Sequence, residues 1–242
     1  GGVMKLDLLA IAAHPDDVEL TCGGTLIKMA QQGYKTGVLD LTRGEMGTRG
    51  NAETRLHEAA RAARIMGVKM RANLGLPDAH LEVNERHKLA VAAKIREWQP
   101  HAVILPYWEG RHPDHYNAAR LGYEACFLAG LKRLGIPGEA FRPFKILYST
   151  TYDETVRPTF AVDITEQFDK RRQAILAYES QFSPPKHQRK SKVHVPLDEL
   201  ENRVNLTSRY YGRMIGVKYA EPFLVREIMQ VDDVIKMPVR SV

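Results

Sequence analysis

The strongest constraint on this chain is a rhythm: short apolar runs that read as strands alternate with longer stretches of helical spacing. The runs cover residues 6–13, 36–41, 71–76, 102–106 and 144–149, and helical stretches cover 24–32, 53–66, 84–98 and 116–134. In 53–66, the residues Leu56, Ala59, Ala60, Ala63 and Met66 fall on one helical face. Asn51 stands where a cap is needed, and Gly67 suits a left-handed end. Strands rich in Val, Ile and Leu with helices between them require a parallel sheet covered on both faces. The expectation is therefore an α/β, Rossmann-like doubly wound, mostly parallel sheet with strand order 3-2-1-4. Beyond Pro158 the rhythm changes, to a short strand over 159–164 and helices over 165–178 and 198–214. That region reads as a C-terminal elaboration of one domain spanning 1–242.

At 242 residues and 44% hydrophobic, the chain can bury a full core. No apolar run approaches the roughly 18 to 20 residues that span a bilayer. The first residues show no charged segment followed by an apolar one. Two cysteines, Cys22 and Cys126, make no disulfide framework. These features predict a cytoplasmic protein without a membrane partner. The net charge of +6 raises nucleic acid as a partner. Yet the one dense basic cluster, Lys186, Arg189, Lys190 and Lys192, has no interleaved aromatics and sits in a proline-led loop over 183–196. A solvated loop, or attraction of an acidic small molecule, is the better reading, and no nucleic-acid partner is expected.

The chemistry is carried by two turns far apart in the chain, Ala13-His14-Pro15-Asp16-Asp17 and Arg111-His112-Pro113-Asp114-His115. Each follows a strand, the first and the fourth. In a 3-2-1-4 order these strands are neighbours at the crevice where ligands gather, outside the carboxyl ends of the strands. A single His-Pro-Asp is ordinarily a polar turn, but two at paired strand ends are hard to explain by packing. His14 and Asp17, three apart across a turn, can converge on one cation, with His115 or His112 as the third ligand. Two imidazoles and one carboxylate leave a coordination position open, the pattern of catalytic zinc. Asp16 is then a candidate general base. The histidine that is not a ligand is a candidate acid or oxyanion donor, with Asp114 setting its orientation. His80, His87 and His101 read as surface or capping residues. The glycine-rich stretch 42–50 follows the second strand and reads as a flexible rim that meets substrate. Arg55, at the start of the next helix, can reach inward to a substrate oxygen.

These residues resemble the LmbE-like (PIG-L) family of zinc-dependent N-acetylglucosaminyl deacetylases. The likeness rests on Ala13-His14-Pro15-Asp16-Asp17, Gly23-Gly24-Thr25, Glu53-Thr54-Arg55, Leu76-Pro77-Asp78 and His112-Pro113-Asp114-His115. Tyr107-Trp108-Glu109-Gly110-Arg111, Tyr178-Glu179-Ser180-Gln181-Phe182 and Gly216-Val217-Lys218-Tyr219-Ala220-Glu221 are most similar to the bacillithiol-pathway branch. The resemblance implies one zinc per subunit held by His14, Asp17 and His115, with Asp16 as base. His112 is then acid or oxyanion stabiliser, assisted by Asp114. The implied substrate is N-acetylglucosaminyl malate, with Arg55 pointing inward and Arg111 or Arg49 as partners for a malate carboxylate. It also implies a homo-oligomer, the hexamer among its forms, and a tyrosine from a later loop over the oxyanion. No tyrosine matches around 193–201, where His194 is the available substitute.

Overall fold

The computed structural model describes residues 5–182 and 196–241. Five parallel strands come first along the chain: β1 (Leu8–Ala12), β2 (Thr36–Thr42), β3 (Met70–Leu76), β4 (Ala102–Pro106) and β5 (Lys145–Ser149). With β6 (Phe160–Asp163) and β7 (Ala220–Leu224), they make one seven-stranded sheet in the order 3-2-1-4-5-7-6. The last two strands run antiparallel, with β7 pairing both β5 and β6. The doubly wound, mostly parallel α/β sheet expected from the rhythm is thus present, with an antiparallel C-terminal addition.

The sheet holds two cores because successive side chains point to opposite faces. Leu9 and Ile11 of β1 join Val91, Ile95 and Trp98 of α4 (Glu85–Trp98) and Leu121 and Ala125 of α5 (Pro113–Ala129). Leu8, Ala10 and Ala12 instead meet Val18 of α1 (Asp17–Thr21) and Leu26 of α2 (Gly23–Gln31). A third cluster packs α3 (Ala52–Met66) on α6 (Phe168–Leu176) through Ala59, Ala62, Met66 and Ala174. Asn51 caps α3 by accepting from the Thr54 amide, and Gly67 ends it at φ 72. Beyond these lie α7 (Glu179–Phe182) and α8 (Leu197–Ile215).

Three local readings change. The helix expected from Tyr116 starts at Pro113, because proline at the first helical position costs no hydrogen bond. That shift makes His112 the cap and puts Asp114 and His115 in the first turn. Strand β7 was not expected, since Glu221 and Pro222 interrupt its apolar pattern. Glu221 is fully buried there. It accepts the amides of Gly24 and Thr25 and the Thr25 hydroxyl, and it pairs with Arg171 at 3.2 Å. The helix expected over 165–178 is shorter, 168–176, and α7 follows it. Apart from Pro196, the expected loop with Lys186, Arg189, Lys190, Lys192 and His194 lies outside the described residues.

Cys22 and Cys126 are both buried, and burial pushes both thiols up, that of Cys126 to about 12. Thiolate is the reactive form. Neither residue should react with iodoacetamide at neutral pH in the native protein, and both should react once it is unfolded. Mass spectrometry counts the adducts, and a labelled native Cys22 would contradict this packing.

Candidate active site

The two His-Pro-Asp turns meet where the strand order reverses, since β1 pairs with β2 on one side and β4 on the other. The first turn leaves β1 and the second leaves β4. Asp17 lies between the imidazoles they supply. Its Oδ2 accepts from the His14 amide at 2.9 Å and lies 3.1 Å from His14 Nδ1, while its Oδ1 is 3.3 Å from His115 Nε2. Burial alone would push the Asp17 carboxyl up, but the His115 and His14 rings outweigh it and hold it well below the usual range. The ring of His14 is itself crowded by carboxylates, with Nε2 at 3.0 Å from both Asp78 and Asp114. Burial disfavours its charged form, yet Asp17, Asp114 and Asp78 together raise its pKa to about 12. Such an excess of carboxylate around imidazoles suits a cation.

Among the described residues, two groups bring three donor atoms within 4.8 Å of one another: His14, Asp17 and His115, and His14, His112 and Asp114. The hydrogen bonds separate them. Asp114 is already occupied, its oxygens accepting the amides of Ala79 at 2.8 Å and Leu81 at 3.3 Å. Nδ1 of His112 accepts the Asp114 amide at 3.2 Å, so its proton sits on Nε2. Asp114 therefore acts on His112 through its backbone, while its carboxylate orients His14. Asp17 has no such backbone commitment beyond its own turn.

Asp16 has φ 100, a left-handed conformation that few side chains accept. It is nonetheless fixed, because Nη2 of Arg55 donates to its Oδ2 at 3.0 Å and to the Pro15 carbonyl. The same guanidinium reaches the Gly44 carbonyl at 3.3 Å, and a Cβ on Gly44 would stand 2.0 Å from Nη1. Glycine suits that closure, since φ is 66 there and a side chain would displace the Arg55 guanidinium. Burial drives the Asp16 carboxyl up to about 7, with Asp17 adding to the rise and Arg55 opposing it. The glycine-rich stretch thus grips Arg55, and its Met46 amide donates to Asp78. It does not form the cavity wall.

The cavity beside the donors has a volume of about 520 Å³. Asp17, His112 and His115 line it, as do Arg111, Glu109 and Tyr152. Of the other expected substrate residues, Arg55 faces Asp16, and Arg49 is buried against the Gln181 carbonyl at 3.0 Å. Arg111 alone of the three arginines is on the wall. Sequence reasoning gave Asp78 and Glu109 no role beyond their motifs, and it missed Tyr152 and Asp153. Tyr152 stacks on His115 at 5.3 Å, and its hydroxyl donates to Asp17 at 3.3 Å. Asp78 follows β3 and Tyr152 follows β5, so both obey the strand-end rule that located the histidines.

Comparison with known proteins agrees with this geometry. A family profile described as GlcNAc-PI de-N-acetylase (PIG-L) matches residues 9–126. The diacetylchitobiose deacetylase of Thermococcus kodakarensis is 32% identical, over 88% of this chain and 80% of its own length. The chain belongs to the PIG-L family. A probable N-acetyl-alpha-D-glucosaminyl L-malate deacetylase of Bacillus anthracis is 25% identical over 73% of this chain and 81% of that protein. The crystal structure of a conserved protein of Thermus thermophilus superposes with TM-score 0.83. It is 41% identical and covers 94% of this chain and 98% of its own. This PIG-L protein is accordingly a deacetylase. None of its described helices is long and apolar enough to cross a membrane.

Proposed function

We propose that this PIG-L protein removes the acetyl group from an N-acetylglucosaminyl conjugate. The observation that carries this reading is the His14–Asp17–His115 set, whose donor atoms lie within 4.8 Å of one another beside the cavity. Two imidazoles and a carboxylate suit zinc, with Fe(II), Co(II) and Mn(II) as close competitors. Bound zinc supplies a Lewis acid and lowers the pKa of its water to about 7. The side chains do the rest. Asp16, held through Oδ2 by Arg55, takes the proton of the attacking water on Oδ1. His112, with its proton on Nε2, donates a hydrogen bond to the acetyl oxygen as charge develops there, and Asp16 hands the proton it took from water to the departing amine. Tyr152, on the same wall, is the residue that occupies the expected tyrosine's place. Asp114 and Asp78 orient His14.

The aglycone has two readings. The sequence resemblance favours malate in a cytoplasmic bacillithiol-type pathway, and Arg111 on the cavity wall suits its carboxylates. Glu109 and Asp153 line the same wall, where burial and Glu109 push the Asp153 carboxyl up. Two close carboxylates would repel malate and accept sugar hydroxyls, which favours a neutral saccharide such as diacetylchitobiose. Parallel free-amine assays on N-acetylglucosaminyl malate and on diacetylchitobiose decide between them, and turnover of neither removes the proposal. The same reading includes a homo-oligomer.

Chelation should abolish turnover of the accepted substrate, and added zinc should restore it. His14→Ala and Asp17→Ala should each lose the bound metal, as read by elemental analysis after gel filtration. Full metal content in Asp17→Ala would remove it from the ligand set.

A further inference from the structure

The helix that carries Asp17 is too short to hold itself. α1 spans five residues, Asp17–Thr21, and is entered from Asp16 at φ 100. An isolated helix of that length does not persist in water. A left-handed residue other than glycine is kept only where its surroundings over-determine it. The turn that bears Asp16 and Asp17 is therefore placed by groups outside it.

Two largely buried arginines reach α1 from other elements. Arg171 of α6 donates to the Glu19 carbonyl at 3.0 Å and to the Leu20 carbonyl at 2.5 Å. Those bonds hold the backbone, and the same guanidinium serves the fold through Glu221. Arg71 of β3 takes the side chain instead. Its Nη1 donates to Glu19 Oε1 at 2.5 Å, and the Tyr178 hydroxyl donates to the same oxygen at 3.0 Å. Glu19 is fully buried. Two residues on from Asp17, it leaves the helix about 200° round, on the opposite face. A bond made on that back face fixes the roll of the front one.

Stability does not call for this carboxylate. Arg71 already has a counter-ion, because its Nε and Nη2 donate to the two oxygens of Asp40 at 2.8 and 3.0 Å. Glu19 brings a second negative charge to one cation. Its Oε2 is buried without a hydrogen-bond partner among the described residues, which is costly. A well-packed apolar residue in such a place is often neutral or stabilising.

We propose that Glu19 is a positioning residue: held by Arg71 and Tyr178, it sets the roll of α1 that points Asp17 at the cation and seats Asp16 beside the attacking water. It touches neither substrate nor metal, and its role rests on the ligand and base assigned above.

Glu19→Met tests this, since it fills a similar volume and leaves Arg71 on Asp40. Its Tm should stay within about 4 °C of the wild type. Zinc affinity, read by competition with a chelator, and kcat should each fall by about 10- to 100-fold, with KM little changed. Glu19→Gln still accepts from Arg71 and Tyr178 and should recover both. Wild-type zinc affinity and kcat in Glu19→Met overturn the proposal, as does a Glu19→Gln variant no better than Glu19→Met. Should Glu19→Met fail to fold, Tyr178→Phe removes one hydroxyl from Glu19 and should lower zinc affinity by a smaller factor; an unchanged affinity overturns the role. A wild type that binds zinc but turns over neither N-acetylglucosaminyl malate nor diacetylchitobiose removes the function proposed above, and zinc affinity alone then judges Glu19.

Discussion

Asp16→Asn is expected to lower kcat by about 10²- to 10⁴-fold, the usual contribution of a positioned base. Its metal content should stay that of the wild type. The substitution is chosen for what it preserves. Asparagine tolerates the left-handed backbone that φ 100 imposes, and its carbonyl can still accept from Arg55. What disappears is the ability to take a proton. The loss should therefore fall on kcat, with KM little changed, since Asp16 meets Arg55 and its own turn. A free-amine assay alongside elemental analysis separates the outcomes. Full turnover in Asp16→Asn would strip it of the base role. Loss of metal would show instead that the first turn had collapsed.

The second large effect concerns stability. Glu221→Ala should destabilise the fold by about 3–5 kcal/mol, the usual cost of breaking a buried pair by removing one partner. At roughly 2–4 °C per kcal/mol for a chain of this size, its Tm should fall by about 6–20 °C. The magnitude follows from what the carboxylate satisfies. The amides of Gly24 and Thr25 at the first turn of α2 would lose their acceptor. The buried guanidinium of Arg171 would lose its counter-ion, keeping only the carbonyls of Glu19 and Leu20 and the Ser208 hydroxyl. Glu221→Gln retains an acceptor without the charge and should fall between. Thermal unfolding by circular dichroism gives the answer, and a shift near zero for Glu221→Ala would deny this contact its importance.

Much of the fold was legible because a buried parallel strand needs an unbroken apolar run. All five residues of β1 are apolar and buried, and β2 is buried throughout and was visible from Val38, Leu39 and Leu41, although Asp40 interrupts its run and is buried against Arg71. The helix caps at Asn51 and Gly67 were readable for the same local reason. β7 was hidden because its Glu221 finds a partner, Arg171, fifty residues earlier, and no local pattern encodes that pairing. The site divides along the same line. His14, Asp16, Asp17, His112, Asp114 and His115 could be named from two turns, since strand order brings those turns together. The arginines could not be placed. Arg49 and Arg55 follow the same strand, yet one is buried against Gln181 and the other holds Asp16. Reach and direction of a long side chain depend on neighbours distant in sequence.

The final strand sits inside the sheet, between β5 and β6, and not at its edge. A ribosome releases the N-terminal strands first, so a nascent chain carries β5 with one flank unpaired until residue 224 has emerged. Open flanks of this kind recruit other chains. Growing copies of this protein are thus most vulnerable to mispairing late in synthesis, after almost every side chain of the reaction centre has been made.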